Sequence, residues 1–593
     1  MLTFKIKDFF AHLSGKRIEN SEKYKLTNFF LAVLFPIFIV CLAEINQMKT
    51  PSKLVLFISE KPSIMLFNIM VAAIIYGTLL FLFRGAFPAA LFTGLLYFIF
   101  STVELFKFGT SGNHFEISDL KMSVDAENIA RFAYIKITPE LVFYAVLLIA
   151  YLAAVFWFRP VLKISRVKGF LSSAACLLCG GCMILLPSVA MPVYAFFEID
   201  TTEADNVFKV NEKFDNNSFL AFFTESATET VKDRVKEPED YTVETVENII
   251  EDSTAKQNAD LSKMPNVIVV MSEAFTDFRR FDGLEIPEET YADWDKACSE
   301  GYVGKAVVPT FASFTVRTEF ELLFGLPLKS LNDPNMPQRL LLDRPQPTMA
   351  KYYKELGYKT AYVHTFLSSF YSRAEIYKNF GFDEMYFEES LTVPVKYDGS
   401  YISDSVIYDQ IQQMLMENKN VPVYVHTTTM ENHQPYDTEG KTEFEEYLSR
   451  VQKVLKNFRD FTEELKSVDR PTIVLMIGDH LPCFRGEGNV YSRLGIDGDN
   501  CSTLYEQPYL LWSNYGADFS KVPNEEISSF YLPYVLMDAA GVPLDSMAQT
   551  MLDKMREVPI YSTSYDSSIP HDKELDMITY DRILGDNISG NAQ

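Results

Sequence analysis

"TIVLMIGDHLP" (residues 472–482) carries six mostly apolar residues into Gly478, Asp479 and His480. A continuous apolar run of this length predicts a strand buried on both faces, as in a parallel sheet covered by helices. Gly-Asp is common turn chemistry, so a turn explains the end of the run. A carboxylate beside an imidazole also suits a metal site. The rest of the chain has to decide between the two interpretations.

Three further runs resemble this one and are separated by stretches with helical spacing. They are "NVIVVMSEAF" (266–275), "KTAYVHTF" (359–366) and "VPVYVHTTT" (421–429), with helical stretches such as 347–356 and 443–466 between them. Apolar strands that alternate with helices predict an α/β domain with a mainly parallel central sheet. In open α/β sheets the functional sites form beyond the carboxyl ends of the strands.

Candidate ligands lie at these strand ends. They are Glu273, His364, His426, Asp479 and His480, and His433 follows shortly after one of them. A carboxylate from one strand and an Asp-His pair from another form a mixed oxygen and nitrogen donor set. Such a set suits a borderline divalent ion such as Mn²⁺ or Zn²⁺.

The segment "TVRTEFELLFGLP" (315–327) contains the candidate nucleophile, Thr318. Thr318 with Glu321 three residues later also reads as a capping box at the start of a helix. A helix N-terminus binds anions, however, and a threonine beside a metal ion can attack phosphorus or sulfur. Three neighbouring hydroxyls remain rivals: Thr310, Ser313 and Thr315. Arg317 either holds an anion or is solvated.

Composition divides the 593 residues into two parts. Residues 1–196 are hydrophobic and hold 18 Lys+Arg against 11 Asp+Glu; because the chain's net charge is −25, the remainder carries −32. An acidic part of this size argues against nucleic-acid binding, which requires a basic surface. We interpret the excess acid as a solvated face.

Five apolar runs are each close to the ~20 residues that a bilayer requires. They lie near 27–45, 64–83, 88–106, 140–158 and 170–192. Basic residues precede the first run and fill the loop at 159–168, which the positive-inside rule places in the cytoplasm; Lys49, Lys53 and Lys61 are a mild conflict. An odd number of spans then predicts that everything after about 196 is extracellular. Cys483 and Cys501 could pair in such an oxidising space, although the odd total of seven cysteines leaves this open.

Five motifs, in this order, resemble the lipoteichoic acid synthase group of membrane phosphoglycerol transferases, in the sulfatase/alkaline-phosphatase superfamily. They are "VVMSEAF", "TEFELLFG", "FYSRAEIYKNFGFDEMY", "TMENHQPY" and "GDHLP". The resemblance implies a multi-pass helical membrane domain at 1–196, a helical connector at 197–264, an extracellular sulfatase-like catalytic domain at 265–555 and a C-terminal tail at 556–593.

The resemblance also implies site residues. Glu273, Thr318, Asp479 and His480 would hold one divalent metal ion, with Mn²⁺ expected and Mg²⁺ or Zn²⁺ as alternatives. Thr318 would be both ligand and nucleophile, and His433 the second catalytic residue. The substrate's head group would contact His364, Tyr371, Arg373 and His433. Taken alone, Arg373 also fits a surface cation, and His433 a loop histidine stacked on Tyr436.

The expected reaction moves glycerol phosphate from phosphatidylglycerol to a glycolipid or polymer acceptor, through a covalent intermediate on threonine. The alternatives are a phosphoethanolamine transferase or a sulfatase-like hydrolase of the same superfamily. A sulfatase normally converts Cys or Ser to its nucleophile, which Thr318 cannot supply. The chain also departs from the family: Phe314 and Arg317 replace glycine and a small polar residue near the nucleophile, and Phe366 replaces an Asp found in some members.

Overall fold

The computed structural model describes residues 14–120, 137–232, 235–250, 261–485 and 488–590. The chain separates into two compact units. The helical unit holds the described residues up to 204 and from 208 to 232, and the sheet unit holds 205–207 and those from 235 onward. The part of the predicted connector at 251–260 lies outside the described residues.

The helical unit is built from α-helices. They are α1 (Lys25–Val33), α2 (Phe35–Met48), α3 (Pro51–Glu60), α4 (Pro62–Phe83), α5 (Ala86–Ser111), α6 (Pro139–Phe158), α7 (Arg166–Leu185), α8 (Pro187–Phe196) and α9 (Val207–Lys232). The last of these occupies part of the predicted connector, and it packs within the helical unit.

Four described helices, α4 to α7, are each long and apolar enough to cross a membrane. They correspond to the last four predicted spans. The first predicted span is a bent pair, because α1 and α2 meet at 43°; counted as one span, the pair makes five. The run predicted at 170–192 is interrupted: α7 ends at Leu185 and α8 begins at Pro187, since proline lacks the N–H that would continue the helix.

The sheet unit contains an eight-stranded sheet that is mostly parallel, which confirms the predicted fold class. Its strands are β1 (Asn266–Ser272), β2 (Gly301–Val307), β3 (Lys359–His364), β4 (Glu384–Tyr386), β7 (Val423–Thr428), β8 (Thr472–Gly478), β9 (Glu506–Ser513) and β10 (Ile527–Ser528), and β5 (Tyr397–Asp398) pairs separately with β6 (Tyr401–Ile402). The order is β10-β2-β9-β8-β1-β7-β3-β4, and only β9 runs antiparallel to its neighbours. The strands predicted from apolar runs form its centre.

Helices surround this sheet. They are α10 (Val243–Ile249), α11 (Ala292–Cys298), α12 (Thr315–Phe324), α13 (Met349–Glu355), α14 (Arg373–Tyr377), α15 (Asp404–Glu417), α16 (Glu443–Leu465), α17 (Val490–Arg493), α18 (Leu532–Ala539), α19 (Ser546–Glu557) and α20 (Lys573–Ile583). The predicted tail contains α20, whose Leu575, Ile578 and Ile583 are fully buried in the same hydrophobic core as the sheet. Cys483 and Cys501 form no disulfide with each other in the described structure.

Candidate active site

Two buried strands of the sheet unit end side by side. β1 pairs with β8 in parallel, with Ser272 opposite Gly478, so Glu273 and Asp479 leave the sheet together. Only glycine fits at 478 without rearrangement, because a Cβ there would lie 2.0 Å from the carbonyl oxygen of Phe275. The close approach of the two backbones therefore explains why residue 478 is glycine. The next residue, Asp479, lies at the same edge of the sheet as Glu273, which follows β1.

Glu273, Asp479 and His480 form a compact group of metal-ligand type. One ligand atom of each lies within 4.8 Å of the other two, and each residue is at most 3% exposed. His480 Nδ1 donates to the carbonyl oxygen of Leu481 at 2.9 Å, and its Nε2 lies 3.2 Å from Asp479 Oδ2. Asp479 Oδ2 is buried without a hydrogen-bond partner in the protein.

The electrostatics of this group fit a bound divalent cation. Burial raises the pKa of Glu273 well above its usual range, and the charge of Asp479 raises it further. Burial also raises the pKa of Asp479, although His480 and the N–H of Ala274, at 2.7 Å, oppose the shift. Two buried carboxylates that repel each other, beside an imidazole nitrogen, form a donor set whose negative charge a bound cation would neutralise. The identity of the ion as Mn²⁺ stays a prediction.

The helix that carries the predicted nucleophile begins three residues earlier than expected. α12 starts at Thr315, with Phe314 in the N-cap position, so Thr318 lies inside the helix. The capping-box interpretation of Thr318 and Glu321 is therefore wrong. Thr318 is fully buried, and its hydroxyl donates to the main-chain carbonyl oxygen of Asp479 at 2.7 Å.

Thr315, one of the rival hydroxyls, lies against the carboxylates. Its hydroxyl donates to Glu273 Oε2 at 3.4 Å, and its proximity to Asp479 helps to lower the pKa of that carboxyl. As the first residue of α12, Thr315 also lies at the end of the helix where unsatisfied N–H groups favour anions. The structure thus places the Thr315 hydroxyl beside the carboxylate of Glu273, and the Thr318 hydroxyl against the main chain of Asp479.

Backbone strain is concentrated around these side chains. Ala274, Ala312 and Phe314 have φ angles of 49°, 65° and 61°, a left-handed conformation that costs a residue with a side chain roughly 1–2 kcal/mol. Strained residues of this kind cluster at functional sites. The glycines that the resemblance predicts ahead of the nucleophile are missing, yet two residues there adopt the conformation that glycine favours.

The two arginines singled out from the sequence are both buried and ion-paired. Arg317 is 7% exposed, and its Nη2 lies 3.0 Å from Asp333 Oδ1. Arg373 is 1% exposed, and its Nη2 lies 3.0 Å from Glu319 Oε2. Arg317 is therefore not a solvated cation, and Arg373 is not a surface cation. That Arg317 holds an anion stays a prediction. Glu319 was missed because its partner is 54 residues away in the sequence.

His364 lies beside Arg373 with both ring nitrogens engaged. Its Nδ1 donates to the carbonyl oxygen of Thr428 at 2.8 Å, and its Nε2 accepts from Arg373 Nη1 at 3.2 Å. Burial and the charge of Arg373 lower the pKa of His364 to about 3, so the ring is neutral. The predicted head-group contact of His364 stays a prediction. His426 is not at the site: it is buried within β7, and neither ring nitrogen has a hydrogen-bond partner.

Tyr371 and His433 are only partly buried. The Tyr371 ring lies 5.1 Å from the guanidinium of Arg373. The His433 ring packs edge-on against Tyr401, with centroids 5.6 Å apart. His433 Nδ1 donates to the adjacent carbonyl oxygen of residue 434 at 2.6 Å, and burial lowers its pKa to about 4, which leaves the ring neutral with a basic Nε2.

The loop at 429–433 holds the backbone of Glu273 through residues that the sequence did not indicate. Thr429 Oγ1 accepts from the Glu273 N–H at 3.1 Å, and Asn432 Nδ2 donates to the Glu273 carbonyl oxygen at 3.1 Å. Asp404 Oδ1 accepts from the N–H groups of residues 430 and 431 and so supports the loop. Their roles depend on contacts across the sheet edge, for which the sequence carries no local signal.

Glu321 should make the protein's stability depend on pH. It accepts from the Leu328 N–H at 3.2 Å and from the Ser529 hydroxyl, and burial raises its pKa to about 8 from 4.5. Because the folded state keeps the proton to higher pH, stability falls as pH rises between these values, by on the order of 3 kcal/mol. Glu321→Gln removes this loss. Denaturant unfolding at pH 5 and pH 8 should show a smaller difference for the variant, and parallel pH profiles would contradict the prediction.

Comparison with known proteins identifies similar chains. The Sulfatase family model matches residues 265–542. A Rhizobium meliloti (strain 1021) protein named for cyclic beta-1,2-glucan modification is 26% identical over 303 residues, which are 47% of this chain and 46% of that protein. Lipoteichoic acid synthase 1 of Bacillus subtilis (strain 168) is 23% identical over 407 residues, 61% of this chain and 58% of that one. This chain thus spans about half the length of the curated relatives it matches.

A solved structure has the same fold as the sheet unit. It is the Streptococcus pyogenes phosphoglycerol transferase GacH in complex with sn-glycerol-1-phosphate, at a TM-score of 0.50 and 19% identity, covering 60% of this chain and 98% of that chain.

Proposed function

We propose that this chain, whose residues 265–542 match the Sulfatase family model, is a metal-dependent phosphoglycerol transferase. It would move glycerol phosphate from phosphatidylglycerol to a hydroxyl of a glycolipid or polymer. The observation that carries the proposal is a threonine hydroxyl at a helix N-terminus, directed at a buried Glu-Asp-His group. The fold similarity to the Streptococcus pyogenes phosphoglycerol transferase supports the choice of group transferred.

Glu273, Asp479 and His480 would hold the divalent ion. When bound, such an ion supplies positive charge to a phosphoryl oxygen and lowers the pKa of a neighbouring hydroxyl. The chain's own contribution is the placement of Thr315, whose hydroxyl already has an acceptor in Glu273 Oε2 at 3.4 Å. The N-terminus of α12 adds partial positive charge where the phosphoryl group would lie.

Two displacements then account for transfer. Thr315 Oγ1 would attack phosphorus and give its proton to Glu273, and the bond to the diacylglycerol oxygen would break as that oxygen takes a proton from solvent. An acceptor hydroxyl would next attack the phosphothreonine, and the bond from phosphorus to Thr315 Oγ1 would break as Glu273 returns its proton to that oxygen. His433 is neutral with a basic Nε2, so it would take the acceptor's proton in this second step.

The helices that match membrane spans fit a lipid donor and a lipid-linked acceptor, both of which stay in the bilayer. We propose a cell-membrane location with the sheet unit outside, as the basic residues near the first and last spans predict. Tethering keeps the sheet unit at the surface where both substrates are found.

The test gives the full-length chain in detergent a labelled phosphatidylglycerol, with Mn²⁺ or with a chelator. We expect metal-dependent release of diacylglycerol and transfer of the label to a glycolipid acceptor. Phosphatidylethanolamine in a parallel reaction distinguishes the alternative transferase. Release from phosphatidylethanolamine alone, or no metal-dependent release from either lipid, would contradict the proposal.

A further inference from the structure

Glu319 is a fully buried carboxylate whose oxygens are all engaged. Its Oε1 accepts from the hydroxyls of Tyr362 at 2.5 Å and Thr428 at 2.7 Å. Its Oε2 accepts from the Tyr377 hydroxyl at 2.7 Å and from Arg373 Nη2 at 3.0 Å. Burial alone would raise the pKa of Glu319, but Arg373 and these hydroxyls hold it at about 2. The Glu319 carboxylate is therefore ionised, and its hydrogen bonds hold it in one position inside the sheet unit.

The bonds of Glu319 belong to a closed ring of contacts. Arg373 Nη1 donates to His364 Nε2, and His364 Nδ1 donates to the carbonyl oxygen of Thr428. Thr428 returns to Glu319 through its hydroxyl. A guanidinium has five N–H donors. Glu319 accepts one from Nε and one from Nη2 of Arg373, and His364 accepts one from Nη1. Two N–H groups of Arg373, one on Nη1 and one on Nη2, remain.

Glu319 also lies on the helix that begins with Thr315. Residues four apart face the same side of an α-helix and are separated by about 6 Å along its axis. Thr315 faces Glu273, and Glu319 faces Arg373. One helical turn thus separates the hydroxyl that would attack phosphorus from the carboxylate that fixes the arginine.

We propose that Glu319 is a positioning residue that aligns Arg373 with the nucleophile helix and thereby sets which head group the site accepts. The inference rests on the proposed function. A donor would be favoured when its head group is a short polyol that spans from the phosphorus at Thr315 to the remaining N–H groups of Arg373. A donor with a shorter or longer head group could place its phosphorus at Thr315 or its head group at Arg373, but not both at once.

The test uses the full-length protein with two substrates. Phosphatidylglycerol carries the polyol, and bis(p-nitrophenyl) phosphate has none. For Glu319→Gln we expect KM for phosphatidylglycerol to rise about tenfold, as loss of binding to an oriented guanidinium predicts, with kcat changed less than about threefold. Both constants for bis(p-nitrophenyl) phosphate should stay near wild type.

Glu321→Gln is the matched control, since it makes the same substitution at a buried position of the same helix. It should leave both substrates unaffected. Tyr377→Phe removes one hydrogen bond to Glu319 and keeps the ion pair, so it should raise KM for phosphatidylglycerol by a smaller factor even where Glu319→Gln does not fold. Equal losses on both substrates, or the same KM change in Glu321→Gln, would overturn the inference.

A separate readout distinguishes failure of this inference from failure of the proposed function. If wild type cleaves bis(p-nitrophenyl) phosphate but not phosphatidylglycerol, the proposed function fails. Competition against bis(p-nitrophenyl) phosphate then tests Glu319: Glu319→Gln should weaken inhibition by glycerol phosphate and not by inorganic phosphate. Equal inhibition of wild type and Glu319→Gln by glycerol phosphate would contradict the proposal that Glu319 positions Arg373.

Discussion

Thr315→Ala is expected to lower metal-dependent diacylglycerol release by on the order of 10³-fold or more, as removal of a nucleophile does in other covalent enzymes. The reason is positional: its hydroxyl is the one that donates to Glu273 at the start of α12. The residual rate would come from substrate binding and charge stabilisation alone. Release of labelled diacylglycerol at saturating lipid, with the thermal midpoint measured in parallel, checks the prediction.

Thr318→Val is the informative comparison. Thr318 gives its hydroxyl to the carbonyl oxygen of Asp479, and loss of that bond should cost about 1 kcal/mol of stability. A tenfold change in rate corresponds to about 1.4 kcal/mol in the barrier, which is more than this hydrogen bond contributes. We therefore expect the activity of Thr318→Val to stay within about tenfold of wild type. An inactive but folded Thr318→Val beside an active Thr315→Ala would restore Thr318 as the nucleophile.

Much of the fold followed from the sequence because buried parallel strands and membrane helices leave continuous apolar runs. The run at 472–478 is β8, and the run at 266–272 is the neighbouring β1. Since their carboxyl ends meet, the sequence also indicated that Glu273 and Asp479 would lie together. The membrane helices were equally readable, apart from the break that Pro187 introduces.

The site's finer details were not readable because they depend on contacts between distant segments. Thr315 and Thr318 both precede the same apolar run, and the resemblance pointed to Thr318. In the folded chain Phe314 occupies the N-cap position in a left-handed conformation, so Thr315 is the first residue of the helix and Thr318 lies inside it. Likewise, Glu319 looked like an ordinary helical acid, and only the folded chain brings it to Arg373.

Glu273→Gln should change stability in opposite directions with and without metal. Burial and the charge of Asp479 raise the pKa of Glu273 in the metal-free protein, so its ionised form costs stability as pH rises above the usual carboxyl range. Removal of that charge should make the metal-free variant more stable than wild type at pH 7.5. Wild type should gain about 2.7 kcal/mol at a Mn²⁺ concentration 100 times its dissociation constant, and the variant should gain little and lose activity.

Asp404→Asn separates this effect from the general effect of deleting a buried acid. Asp404 is fully buried and its pKa is raised to about 8, first by burial and then by Glu431, but it is not one of the grouped ligands. Its variant should also be less sensitive to rising pH, yet it should keep the Mn²⁺-induced rise in thermal midpoint. Thermal unfolding of the three proteins, with Mn²⁺ and with chelator, measures both effects. If Glu273→Gln kept the full Mn²⁺-induced shift, Glu273 would not be a ligand, because the stabilisation by a bound ion depends on the groups that hold it.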